Sequence, residues 1–163
     1  SKDTKKNFVF SSLIVLGIFL IDRLSKIYFI YLHNKFFGSE IFSSKFLNIT
    51  LIWNEGIAFG LLNFEKNNLY NFLTVLILII ILVIALMSIN AKGLKKLSFL
   101  VILGGATGNV FDRIFNKAVP DFIDFHVGNF HWFIFNVADI FITLGVIFLI
   151  LLEINDNNKI QKL

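Results

Sequence analysis

Four long apolar runs, separated by polar stretches, organise this chain. They extend over about residues 8–32, 69–89, 97–111 and 133–152, and between them lie two substantial polar segments, about 33–68 and 112–132. A bilayer core is roughly 30 Å thick, and a helix needs about 20 mostly apolar residues to cross it. The pattern therefore predicts four membrane-spanning helices packed as a bundle. The second run is almost pure Leu, Ile and Val from Leu73 to Leu86 and reads as bundle and lipid contact. The third carries Gly104, Gly105, Ala106 and Gly108, a small-residue patch of the kind that lets helices approach closely. Lys45–Phe64 alternates loosely, with Ile49, Leu51 and Trp53 on one side, and suggests short strands and turns on the membrane surface. Trp53 and Trp132 read as interface-belt aromatics. The expectation is a single integral membrane domain over 1–163, an all-α four-helix bundle with a small extracytoplasmic β-cradle.

Lysine placement sets the direction. One side receives Lys2, Lys5 and Lys6, then Lys92, Lys95 and Lys96, then Lys159 and Lys162, all in short dense clusters. The other receives Lys35, Lys45, Lys66, Arg113 and Lys117 over longer segments. Dense basic flanks mark the cytoplasm, so both termini are expected inside and both long segments outside. Lysines followed by the run Phe8–Ile21 resemble the start of a secretory signal peptide. No small-residue cleavage site follows, and the segment reads as a retained helix.

Composition narrows the chemistry. Of 163 residues 56% are hydrophobic, above the roughly 45–50% of soluble domains. The net charge of +4 is small and dispersed, which does not point to nucleic acid. There is no cysteine, so thiolate metal sites, disulfides and a cysteine nucleophile are excluded.

The informative residues are polar ones in apolar surroundings. An ionisable group within a span costs about 2.5–3.5 kcal/mol on insertion scales, so each requires a reason. At a rise of 1.5 Å per residue, Asp22 lies about 21 Å from the inner end of the first span and Asp112 about 22 Å along the third. Asp139 falls about one turn below the outer end of the fourth. Three aspartates on three helices thus reach one level near the outer face, where Asp121 and Asp124 also lie. Asp22 and Lys26 share a helix face at i,i+4, as do Asn109 and Arg113, while Asn136 and Asp139 are i,i+3. Asp22–Lys26 reads as a structural ion pair, and Asp112 fits the same role if it finds a cation. Asp139 has no basic residue within reach on its span, and Asp121 only Lys117 nearby. Together they read as a pair sharing a proton, in which one carboxylate activates water while the other donates. Two other readings use the same residues. Asp121, Asp124, His126 and His131 offer oxygen and imidazole to a metal, although their spacing matches no strong signature. A small proton-coupled transporter uses intramembrane carboxylates as relays, but such groups belong near mid-membrane.

Five motifs in order complete the pattern: Asp22-Arg-Leu-Ser-Lys26, Asn54-Glu-Gly56-Ile-Ala58-Phe-Gly60, Gly108-Asn109-Val-Phe-Asp112-Arg113, Val119-Pro-Asp121-Phe122 and Phe135-Asn136-Val-Ala138-Asp139. Over nearly its whole length the chain resembles the bacterial lipoprotein signal peptidases (signal peptidase II). The resemblance implies an aspartyl endopeptidase of the inner membrane. Such an enzyme cleaves signal peptides from prolipoproteins whose cysteine carries diacylglycerol, without a cofactor or metal. It implies a catalytic dyad of Asp121 and Asp139. Asn54, Gly56, Asn109, Arg113, Asn136 and Ala138 would line the site or hold substrate, and Asp22, Lys26, Gly108 and Asp112 would brace it. It further implies a block by globomycin-like cyclic peptides and a β-cradle built by Lys45–Phe64; the protein is expected to be a monomer among membrane lipids. Two positions depart from the family pattern: Pro120 stands where an aliphatic residue is common, and Arg23 where a neutral one is.

Overall fold

A computed structural model describes residues 2–56 and 66–160. Four helices, α1 (Lys2–Lys35), α2 (Lys66–Asn90), α3 (Gly93–Asn116) and α4 (Val137–Ile160), carry the apolar runs. Each contains a stretch long and apolar enough to cross a membrane. Large apolar side chains on α1, α2 and α4 point outward, Phe8, Leu24, Phe72, Leu82 and Phe148 among them, which suits a lipid-facing surface. The exception is α3, which packs against the other three helices and buries most of its length.

The glycines of α3 make that central position possible. A Cβ on Gly105 would lie 2.6 Å from the Ala138 carbonyl oxygen of α4, and one on Gly108 would lie 2.9 Å from the Asp22 carboxyl carbon of α1. The small-residue patch is therefore a packing device, as expected. It lets the Asp22 side chain of α1 and the Ala138 backbone of α4 press directly on α3.

The sheet is larger than the sequence suggested and draws on both long polar segments. Strands β1 (Phe42–Ser43), β2 (Leu47–Asn54), β3 (Val119–Val127) and β4 (Phe130–Phe135) form an antiparallel sheet in the order β1-β2-β3-β4, two hairpins joined through α2 and α3. Residues 112–116 belong to α3, and residues 133–135 belong to β4 rather than to the fourth span. At the end of α3, Lys117 adopts a left-handed conformation (φ 59°) that turns the chain directly into β3. Pro120 lies opposite Trp53 of β2, beyond the part of β3 that pairs with β4. Lacking an N–H, proline is tolerated where one flank of a strand is unpaired. Ile57, Ala58, Phe59 and Gly60, the end of the second motif, lie outside the described residues, as does the rest of 57–65.

Candidate active site

The N-terminal end of α4 is organised by Asn136. It is the residue before the helix, and its side-chain oxygen accepts from the Asp139 N–H at 3.1 Å. Asp139 returns the bond, accepting from the Asn136 N–H at 3.1 Å. This is a reciprocal capping box, which satisfies two amides that the first helical turn leaves free. A third, the N–H of Ala138, donates to Asp22 of α1 at 3.1 Å. Asp139 is thus fixed at the N-terminal end of a helix, where the aligned peptide dipoles favour a carboxylate. The i,i+3 spacing of Asn136 and Asp139 was visible in the sequence, and this is its physical meaning.

The amide nitrogen of Asn136 points the other way. It donates to Asp121 at 2.6 Å and to the Asn109 side-chain oxygen at 3.1 Å. Asn109 in turn donates to Asp139 at 2.8 Å. Asn136 is fully buried, with every polar atom of its side chain engaged, and it binds both Asp121 and Asp139. Asp121 comes from β3, next to a bulge where β2 gains a residue between Ile49 and Ile52; bulges of this kind re-aim side chains beside active sites. Its second oxygen accepts from Asn54 of β2 at 2.9 Å. Asn54 is held by a turn in which its own side-chain oxygen accepts from the Gly56 N–H at 2.7 Å. That turn places Gly56 at φ +74°, a conformation natural to glycine. Burial raises the Asp121 pKa to about 6, and the nearby Asp139 charge adds to the effect. The bonds from Asn54 and Asn136 oppose it.

Below the two carboxylates lies an ionic cluster. Lys26 bonds Asp22 at 2.9 Å and Asp112 at 2.7 Å, confirming the i,i+4 pair and supplying the cation that Asp112 required. Arg23 joins it, contacting Asp112 through both terminal nitrogens, one at 2.6 Å, and Asp22 at 3.0 Å. Two carboxylates and two cations make the cluster electrically neutral, a condition for burying it without a large desolvation cost. The guanidinium also lies 5.0 Å from the Phe111 ring centre, within cation–π range. In the sequence Arg23 stands out only as a departure from the family pattern. Lys26 links the cluster to the site above by donating to the Asn109 side-chain oxygen at 2.8 Å.

Most sequence-predicted site residues therefore converge: Asp121, Asp139, Asn54, Asn109, Asn136 and Ala138, braced by Asp22, Lys26, Gly108 and Asp112. Arg113 differs. Its side chain folds along its own helix onto the Asn109 carbonyl at 3.4 Å, with no bond to either central carboxylate among the described residues. The four residues weighed for a metal separate, since Asp121 faces Asn54 and Asn136 while Asp124, His126 and His131 gather elsewhere on the sheet.

A family profile described as signal peptidase (SPase) II matches residues 14–155. The chain belongs to the signal peptidase II family. It is 47% identical over 159 residues to the lipoprotein signal peptidase of Pelagibacter ubique (strain HTCC1062), an alignment covering 98% of this chain and 96% of that one. It is 36% identical over 142 residues to the lipoprotein signal peptidase of Francisella tularensis subsp. novicida (strain U112), covering 83% and 87% respectively. Among solved structures it is similar to a bacterial membrane enzyme determined by the in meso method at 2.3 Å, with a TM-score of 0.73 and 28% identity. That match covers 91% of this chain and 90% of the other. Membership of the family makes the chain a protease of lipoprotein processing, and its four apolar helices suit a multi-pass inner-membrane protein.

Proposed function

We propose that this protein is an aspartyl endopeptidase that removes the signal peptide from diacylglyceryl-modified prolipoproteins, with Asp121 and Asp139 as its catalytic dyad. The observation that carries the reading is the sharing of Asn136 by both carboxylates, which fixes two acids of different surroundings beside one another. One carboxylate takes a proton from water as it attacks the scissile carbonyl, and the other donates to the developing oxyanion, giving a tetrahedral diol. Transfer of a proton to the leaving nitrogen then collapses the diol. Asn54 and Asn109 hold the carboxylates at their working angles, while Arg113 awaits the peptide backbone near Asn109. Asp22, Lys26, Arg23 and Asp112 keep α1, α3 and α4 in register beneath the reacting atoms.

The dyad lies at the outer end of the bundle, so water reaches it from the outer side. A lipid anchor on the substrate cysteine sets the height of the scissile bond against Asp121 and Asp139. The purified protein in detergent should convert lipidated prolipoprotein to mature size without a proton gradient. A globomycin-like cyclic peptide should block the reaction, and unlipidated precursor should react at least about 100-fold more slowly, the scale of loss expected from misplacement. Equal cleavage of both precursors refutes the positioning argument. No cleavage, together with gradient-driven solute movement in vesicles, restores the exporter reading.

Orientation is tested separately. Cysteines placed singly at Ser44 or Asn129 should react with an impermeant thiol reagent from outside the cell, and one at Asn90 should not. The opposite labelling pattern inverts the topology.

Asn54 provides a pH test of the dyad. Asp121 is protonated below about 6 and ionised above it. Burial above all, with the nearby Asp139 charge, holds Asp121 near that value, and a pair that works with one shared proton loses turnover as pH rises through that range. The Asn54 amide favours the ionised form. Asn54→Ala should therefore shift the alkaline limb of the kcat/KM profile to higher pH. An unchanged or lowered limb refutes Asp121 as the group that titrates there.

A further inference from the structure

The hairpin of β3 and β4 carries a second cluster of polar side chains, separate from the dyad. Asp124 and His126 are two positions apart on β3, and His131 lies directly across from His126 on β4. The two imidazole rings stack at 5.2 Å, and His131 Nδ1 sits 2.8 Å from an Asp124 oxygen. Each of the three residues offers one ligand atom, and those atoms lie within 4.8 Å of one another. Asp124 is buried, whereas the His131 side chain is about half exposed. His126 has a buried Nδ1 with no hydrogen-bond partner among the described residues.

A hydrogen bond between His131 and Asp124 accounts for two of these groups. It does not account for His126, whose ring is held against His131 with a buried nitrogen left unsatisfied, a costly arrangement for a polar atom. A cation held by one ring nitrogen of each histidine and an Asp124 oxygen joins all three residues in one site. We propose that Asp124, His126 and His131 form a binding site for a divalent transition metal ion of the zinc class. Two imidazoles and one carboxylate are a donor set that zinc accepts, with water completing the tetrahedron.

The geometry needs little adjustment. Bonds of about 2.0–2.2 Å place neighbouring ligand atoms roughly 3.3–3.5 Å apart, and the exposed His131 can rotate to close the remaining distance. The other two ligands sit on a strand whose position is already set by pairing on both sides. Such an ion would clasp β4 to β3 across the irregular register between Asp124 and His126, where ladder pairing is weakest. Asp124 lies three residues from Asp121, about 10 Å along an extended strand. The ion would therefore fasten the strand that presents Asp121 without touching the dyad, and it takes no part in bond cleavage.

The test uses tag-free, full-length protein in detergent, stripped of metal and titrated with Co²⁺. One equivalent should produce the visible d–d absorption of nitrogen- and oxygen-ligated cobalt, and Zn²⁺ should displace it. Zn²⁺ alone should raise the apparent Tm. His126→Ala, which leaves the Asp124–His131 pair intact, should abolish both responses, as should His131→Ala at its exposed position. Retained conversion of prolipoprotein establishes that each variant is folded. A wild-type protein without cobalt bands or a zinc-dependent rise in Tm overturns the proposal. So do folded His126→Ala and His131→Ala variants that bind like the wild type.

Discussion

Asp121→Asn and Asp139→Asn should each reduce turnover by on the order of 10⁴-fold or more, and the double variant should be no slower than the slower single one. Groups that work as one unit are strongly non-additive, because removing either disables the same step. The geometry makes these substitutions informative rather than merely destructive. At position 139 an asparagine retains an oxygen to accept from the Asn136 N–H, so the capping box that starts α4 persists. At position 121 an asparagine matches the carboxylate in size and keeps one acceptor oxygen, giving up one of the two bonds from Asn54 and Asn136. Both proteins should insert, purify and remain monodisperse while losing the proton exchange that turns water into a nucleophile. The measurement is single-turnover conversion of lipidated prolipoprotein by equal amounts of folded protein. Turnover within tenfold of wild type for either single variant rejects the dyad, and a double variant slowed by the product of two large single effects shows that the two act independently.

The spans were legible because lipid imposes a simple code: long apolar runs, basic inner flanks and few charges. The convergence of Asp22, Asp112 and Asp139 was also legible, since helix rise converts sequence position into depth. What the sequence concealed was the second half of the sheet. Residues Val119 to Val127 are buried on both faces at their start, with Val119, Pro120, Asp121 and Phe122 all enclosed, so the strand shows no clean polar–apolar alternation. Residues Phe133 to Phe135 run apolar into α4 and looked like part of the span. The sign of a boundary was Asn136 followed three residues later by Asp139, the pattern of a helix start. The part played by Arg23 was hidden for another reason. Its carboxylate partner Asp112 lies 89 residues away, beyond the reach of helical periodicity.

These features share a physical logic. Charged groups near a bilayer must either cancel or perform work. Asp22, Lys26, Arg23 and Asp112 cancel, with two charges of each sign at close range. Asp121 and Asp139 do not cancel; two acids face one another through asparagines. The neutral cluster beneath them contributes hydrogen bonds through Lys26 and Asp22 that fix Asn109 and the first turn of α4. In the proposed mechanism substrate meets an acid pair whose geometry is set in advance, the condition under which electrostatic stabilisation of a transition state is most effective.

Asn136→Ala should be the most damaging change outside the dyad, because one side chain serves both the helix start and the acid pair. Alanine removes the acceptor for the Asp139 N–H and the donors to Asp121 and Asn109. Loss of a helix cap costs about 1 kcal/mol, and each buried partner left unsatisfied costs about 1–3 kcal/mol. A clear fall in apparent Tm follows. Removing one preorganised hydrogen-bond donor from an active site costs about 10²–10³ in rate, and a comparable loss is expected in single-turnover cleavage. Asn136→Ser separates the two roles. Serine is a good cap and can accept from the Asp139 N–H, but its short hydroxyl cannot also reach Asp121 and Asn109. Asn136→Ser should therefore recover much of the lost Tm while cleavage stays within about tenfold of the alanine variant. Recovery of both properties by serine makes Asn136 a helix cap alone and removes the bridge between Asp121 and Asp139 from the mechanism.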